Sequence, residues 1–229
     1  MNAIDSTLLD NPAWAALTTK QAHLALGDGP ARRYDPAVAP FAAVERMTPE
    51  ALHRLGRLLA PEESVAVQSV TALPAVDGLH IEKLFDAMQM VDAGVAELGD
   101  VSDVERLSAS NAAEMLDLAL RTNPGPFAIR TVETGHYIGV RDKGRLIAMA
   151  GERMTLDGFV EISAVCVDDE YRGRKLAGRL MNILRREIRL RGDVPFLHVR
   201  DDNASAIGLY HRLGFEDRKM FGLYRVKRI

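Results

Sequence analysis

Residues 160–178 read Val160-Glu161-Ile162-Ser163-Ala164-Val165-Cys166-Val167-Asp168-Asp169-Glu170-Tyr171-Arg172-Gly173-Arg174-Lys175-Leu176-Ala177-Gly178. The first eight are apolar and β-branched enough for a buried strand. After Arg172 an amphipathic pattern opens in which Leu176, Leu180, Ile183, Leu184 and Ile188 share one stripe. A short acidic turn, Asp168 to Glu170, joins the two. Strand, turn and helix in that order leave the first-turn N–H groups of the helix without intrahelical acceptors, at the positive end of its dipole. Small residues there let an anion approach, so the corner reads as a phosphate cradle. Between Arg172 and Arg191 the chain carries eight bases and one acid, Glu187, which suits an anionic ligand or a solvated helix face. Neither Gly-x-x-x-x-Gly-Lys-Ser/Thr nor Gly-x-Gly-x-x-Gly occurs, which argues against a P-loop or a dinucleotide-binding turn.

On the N-terminal side of this corner, His136 to Val140, Arg145 to Arg153 and Phe159 to Val167 are strand-like. Asp142-Lys143-Gly144 and Leu156-Asp157-Gly158 between them read as hairpin turns and imply antiparallel neighbours. Ala109 to Arg121 is a helix pattern stopped by Asn123-Pro124-Gly125-Pro126. On the C-terminal side, Gly192 ends the basic helix and Pro195 to Arg200 is a strand. Ala204 to Leu213 is a helix capped by Asp202 or Asn203, and Phe215 to Val226 is extended. In the first hundred residues, Thr48 and Pro49 start a helix running to Leu59, and Val65 to Val70 alternates like a strand. Residues 27–40 read as a long loop. Ile81 to Val91 fits a helix or a strand and stays unassigned.

The 229 residues are 47% apolar and 27% charged, the balance of a soluble globular chain with a real core. At ~150 residues per domain the length suits one enlarged domain or two small ones. The net charge of −3 divides unevenly: residues 1–100 hold 14 acids and 7 bases, and residues 101–229 hold 18 acids and 22 bases. We therefore expect an acidic N-terminal domain of uncertain fold over residues 1–98 and a functional domain over residues 99–229. The single cysteine, Cys166, permits no intrachain disulfide and points to a reducing, cytoplasmic setting. Asp5, Asp10 and Pro12 fall where a secretory signal would need a basic end and an unbroken apolar run. No stretch approaches the ~20 apolar residues of a membrane span. The six histidines include no His-Glu-x-x-His, so no metal is expected. Arg185, Arg186, Arg189 and Arg191 lack interleaved aromatics, which favours a solvated face over nucleic-acid binding.

The hexapeptide from Arg172 to Ala177 resembles the Arg/Gln-x-x-Gly-x-Gly/Ala motif of the GNAT superfamily of N-acetyltransferases. Asn203, Ala206, Tyr210 and the Leu213-Gly214-Phe215 corner resemble that superfamily's later helix, and the resemblance runs from about Val101 to Ile229. The wording of residues 151–167 and 195–215 is most similar to its glycine N-acyltransferase-like branch. The implied fold is α/β (α+β): a mixed, mostly antiparallel sheet flanked by helices, with an additional N-terminal α/β domain that fused arrangements allow to be a degenerate copy. The implied cosubstrate is acetyl-CoA, with an unidentified primary amine as acceptor and a monomer or homodimer as the assembly. The resemblance further implies that the main chain of Val165 and Val167, with Cys166 between them, lines the pantetheine arm. Arg172, Gly173, Arg174, Lys175, Leu176, Ala177 and Gly178 would surround the pyrophosphate, and Asn203 and Tyr210 would lie near the sulfur. Lys175 stands where the motif has its first glycine; we expect it to reach outward from the first helical turn without an unusual backbone angle.

Acyl transfer to an amine needs a proton acceptor, an oxyanion donor and a proton for the departing thiolate. Glu161 lies eleven residues before Arg172, a spacing similar to that in the members of the superfamily that use a strand glutamate as base, and the resemblance implies that role for it. By the period-two rule it faces the same way as Val165 and Val167. The Val165 N–H is the candidate oxyanion donor and Tyr210 the candidate acid. His198 is a reserve base. Cys166 reads as apolar filler, which favours direct transfer in a ternary complex. The competing expectation is a non-catalytic acetyl-CoA sensor or interaction module on the same fold.

Overall fold

A computed structural model describes residues 5–94 and 101–229. Its first half runs α1 (Pro12–Thr18), β1 (Ala25–Leu26), β2 (Ala31–Tyr34), β3 (Phe41–Val44), α2 (Pro49–Arg57), β4 (Ser64–Ser69) and β5 (Leu79–Asp92). The second half runs β6 (Val104–Leu107), α3 (Ala112–Thr122), β7 (Tyr137–Asp142), β8 (Arg145–Leu156), β9 (Phe159–Val167), α4 (Leu176–Leu190), β10 (Val194–Arg200), α5 (Ala204–Arg212) and β11 (Phe215–Arg228). Local chemistry sets several of these ends. Thr48 accepts the Ala51 N–H and Pro49 occupies the first position of α2. Asn203 accepts the Ala206 N–H at 3.1 Å to start α5. Lys143 and Gly144 both have positive φ, 49° and 81°, the pair of left-handed residues that a two-residue hairpin turn between β7 and β8 demands.

The eleven strands among the described residues form one sheet in the order β1-β2-β3-β4-β11-β5-β10-β9-β8-β7-β6. Pairing is antiparallel except at β3/β4 and β9/β10. Each parallel pair is joined through a helix, α2 or α4, and each is flanked by a 14-residue strand from the other half of the chain. Thus β5 pairs with β10, β11 pairs with β4, and β5 and β11 pair with each other. The expected boundary at residues 98 and 99 lies outside the described residues, but the sheet does not break between the halves. Met90 of β5 is fully buried in the cluster that also holds Leu180, Leu184 and Leu197 of the second half.

Two expectations need correction. Residues 27–40 are not one loop, because Ala31–Tyr34 forms β2 with Tyr34 fully buried; the glycines and prolines mark its two ends and none interrupts it. The strand parity of Glu161 with Val165 also fails. The β8/β9 register passes from Met149/Cys166 to Gly151/Ser163, with one extra residue on β9, and Ala164 sits at φ +52°. This bulge reverses the alternation. Val160, Ile162, Val165 and Val167 therefore share the α4 side, and Glu161 points to the other. The ambiguous Ile81 to Val91 stretch is strand throughout, since β11 pairs along its whole length and β10 pairs with its other edge from Ala87 to Val91.

Candidate active site

At the β9–α4 corner, Gly173 has φ +79° and Lys175 has φ +61°. Lys175 is the N-cap of α4 and occupies the left-handed region that disfavours every residue with a Cβ. The expectation of an ordinary backbone angle is thus overturned: the position has the left-handed conformation that glycine adopts without cost, and lysine adopts it under strain. The helix ladder opens with Arg179 N–H donating to Lys175 O at 3.1 Å, and the main-chain N–H groups of residues 173–178 find no acceptor among the described residues. Six donors are thus left without an acceptor beside the side chains of Arg174 and Lys175, neither of which pairs with an acid among the described residues. The acidic turn braces the corner. Asp168 is bonded by Arg121 and Arg145, Arg172 pairs with Asp169 at 2.7 Å, and the Tyr171 hydroxyl donates to Asp142. Arg174 lies over the Tyr171 ring at 4.7 Å.

Beyond this corner the sheet opens. The β9/β10 pairing ends at Glu161 and Phe196, although β9 runs on to Val167 and β10 to Arg200. The edge of β9 facing the gap is therefore free to pair with an extended ligand. A cavity of about 1300 Å³ fills the gap. Val165, Cys166, Val167, Arg172, Gly173, Lys175, Leu176, Ala177, Gly178, Asn203 and Tyr210 all line it, as does the loop from Asn123 to Phe127. Arg174 does not. Asn203 spends its Oδ1 on the α5 cap. Tyr210 packs edge-on to Phe215, its hydroxyl has no hydrogen-bond partner among the described residues, and burial pushes it up to about 12.

Glu161 lies outside this lining. Its side chain is fully buried and held by Arg153, Nε to Oε2 at 2.8 Å and Nη2 to Oε1 at 2.5 Å. His198 Nδ1 lies 2.7 Å from Oε1. Burial disfavours the carboxylate, but the Arg153 charge and the His198 hydrogen bond outweigh it and hold the group at about 2. Arg153 and His198 are what the cavity meets. His198 Nε2 accepts from Gln89 Nε2 at 3.2 Å, so the neutral ring carries its proton on Nδ1. Burial raises Cys166 to about 11, the behaviour of packed filler. Sequence reasoning missed Arg153, although the β8–β9 hairpin puts it opposite Glu161. It also missed the far wall, where Phe41, Ala66, Gln68 and Phe85 of the first half close the cavity; no local motif marks them. No cluster of metal-ligating side chains occurs among the described residues, and no helix there is long and apolar enough to cross a membrane.

Comparison with known proteins fits this geometry. The family model described as FR47-like protein matches residues 137–226, which contain the whole β9–α4 corner. N-alpha-acetyltransferase RimI of Mycobacterium tuberculosis is 33% identical over 126 residues, covering 51% of this chain and 77% of that protein. The solved structure of a GNAT-family protein from Novosphingobium aromaticivorans is 37% identical, with a TM-score of 0.89 over 96% of this chain and 98% of the other. A GCN5-related N-acetyltransferase from Kribbella flavida, 17% identical, shares the fold over the full chain with a TM-score of 0.61. With a mixed sheet that splays at β9/β10, an open helix N-terminus at the splay and these relatives, the chain belongs to the GNAT family of acetyltransferases.

Proposed function

We propose that this protein transfers the acetyl group of acetyl-CoA directly to a primary amine in a ternary complex. The carrying observation is one cavity lined by Gly173 and by residues 175–178, whose N–H groups have no acceptor among the described residues, by the open edge of β9 and by Tyr210. The donor set fits a diphosphate: main-chain amides at a helix N-terminus, with Arg174 and Lys175 adding charge. Asn203 and the main chain of Val165 to Val167 orient the pantetheine arm, and the Val165 N–H donates to the oxyanion. As the amine nitrogen bonds to the carbonyl carbon and the C–S bond breaks, Tyr210 gives its proton to the thiolate. His198 takes the proton of the amine at Nε2, displacing Gln89. Glu161, which does not reach the cavity, is on this reading a positioning residue that holds the Nδ1–H and stabilises the imidazolium. The high value of Cys166 supports direct transfer over an acyl-cysteine.

Placement in the glycine N-acyltransferase-like branch rests on residues 151–167 and 195–215, and a cytoplasmic monomer or homodimer completes the proposal. A steady-state thiol-release assay with acetyl-CoA and a panel of primary amines tests it. Amine-dependent release is expected; acetyl-CoA binding without amine-dependent release would identify a sensor instead.

A further inference from the structure

The half of the cavity that faces away from the β9–α4 corner is an apolar face of the sheet. Phe41 pairs in register with Ala66, Leu223 with Phe85, and Phe221 with Ala87; register partners share a face, and all six line the cavity. This face begins at the proposed base, because the His198 ring stands edge-on to Phe221 with centroids 5.2 Å apart. Leu223 and its partner Phe85 follow two residues further along β11, about 7 Å away. There β5 departs from regular alternation. Its register against β11 passes from Phe85/Leu223 to Lys83/Tyr224 and leaves Leu84 as an extra residue. A bulge re-aims a side chain, and Leu84 and Phe85, neighbours in sequence, both line the cavity. Leu84 is 37% exposed and Phe85 half-buried, so both offer apolar surface that the protein does not cover.

The charged groups at this end are already paired. Arg153, Arg200 and Arg225 line the cavity; Glu161 holds the first at 2.5 Å, Asp202 the second at 2.6 Å and Glu82 the third at 2.8 Å. Among the described residues, no aspartate or glutamate lines the cavity. Building on the acyl-transfer reading, we propose that this face is the acceptor subsite and selects a hydrophobic monoamine, an arylalkyl amine whose reacting nitrogen is its only charged group. The nitrogen meets His198, and the ring lies over Phe221, Leu223 and the Leu84-Phe85 bulge, where covering apolar surface is favourable. A second ammonium would enter beside three guanidinium groups with no counter-ion of its own. A carboxylate would find only arginines whose charge an acid already neutralises. A short alkylamine would leave Leu84 and Phe85 uncovered.

Thiol release with acetyl-CoA is to be measured for phenethylamine, ethylamine, pentylamine, cadaverine and phenylalanine, alongside calorimetric binding of phenethylamine to the protein saturated with CoA. We expect kcat/KM for phenethylamine to exceed that for ethylamine and for phenylalanine at least about tenfold, and pentylamine to exceed cadaverine, its analogue with a second ammonium, by a similar factor. Leu84→Ser should shrink the phenethylamine-to-ethylamine ratio, and Leu84→Glu, which sets a carboxylate on the face, should raise cadaverine relative to pentylamine. Both ratios are taken within one variant, so a loss of folded protein cancels from them. Cadaverine at least as fast as pentylamine in the unmodified protein, or ethylamine or phenylalanine at least as fast as phenethylamine, would overturn the subsite and leave acyl transfer standing. Ratios that neither Leu84 variant moves would equally overturn it. Phenethylamine binding that Leu84→Ser weakens, without any thiol release, would uphold the subsite and sink the transferase reading. Neither binding nor turnover of phenethylamine would overturn the subsite.

Discussion

Arg153 grips both carboxylate oxygens of Glu161 across the β8–β9 hairpin, with both side chains out of bulk water. The pair forms the floor under His198, and its energetics follow from burial. Arg153→Met leaves an uncompensated buried carboxylate and should cost about 3–5 kcal/mol. Adding Glu161→Gln to Arg153→Met should recover most of that loss, since the charge without a partner is gone; denaturant titration measures both. The acid limb has a fixed sign. Glu161 is held at about 2 in the fold, against ~4.3 in an unfolded chain. Its stabilisation is therefore full above the unfolded value and disappears as pH falls from there through the folded one. Glu161→Gln should flatten the fall in stability over that window, and an unchanged acid limb would show the pair to be unimportant.

This pair also marks how far the sequence can be read. Strand, turn and helix from Val160 to Leu190 were legible because alternation, an acidic turn and a helical stripe follow each other without interruption. The open N-terminus of α4, whose residues line the cavity, followed from them. Glu161 misled because a single inserted residue at Ala164 turns its side chain to the other face, and a bulge leaves no mark in composition. The exchange of β5 and β11 between the halves was invisible for another reason. Ile81 to Val91 alternates weakly, and what makes it a strand is two long-range neighbours. Gln68 belongs to the same class, since only the fold brings β4 to the cavity.

Lys175 separates charge from conformation. Its left-handed angle costs about 1 kcal/mol that glycine would not incur. Lys175→Gly should therefore raise stability by roughly that amount, a gain of about 2–4 °C in thermal midpoint for a chain of this size. Lys175→Ala keeps the strain and should leave the midpoint near its starting value. Both variants lose the same charge, so both should weaken acetyl-CoA binding to a similar extent, and more at low salt than at high. Equal midpoints for the two variants would refute the strain.

Tyr210 carries the proposed proton for the thiolate, and its burial determines where pH matters. A general acid works while protonated and is lost as pH rises through its own value. A phenol at about 12 stays protonated up to roughly pH 10, so no alkaline fall in kcat should come from it below that point. Tyr210→Phe removes the proton and should lower kcat by about 10- to 100-fold with little change in KM for acetyl-CoA. A KM effect alone would make the ring a packing element.

The two halves should not fold apart. Removing residues 1–98 strips β5 from between β10 and β11 and leaves two long edges of unpaired N–H and C=O groups. It also empties the place of Met90 in the α4 core. Asp92, fully buried at the end of β5, is bonded by Arg185 at 2.5 Å and Arg189 at 2.7 Å; without it Arg185, itself 1% exposed, becomes a buried cation with no counter-charge. Residues 99–229 expressed alone should therefore aggregate or lack a cooperative thermal transition, even though they contain the whole β9–α4 corner proposed to hold acetyl-CoA. The two pieces expressed together should assemble through β5 and β11 and regain acetyl-CoA binding. A sharp melting transition for residues 99–229 as an isolated monomer would refute this, and would make the strand exchange a docking of two independent units.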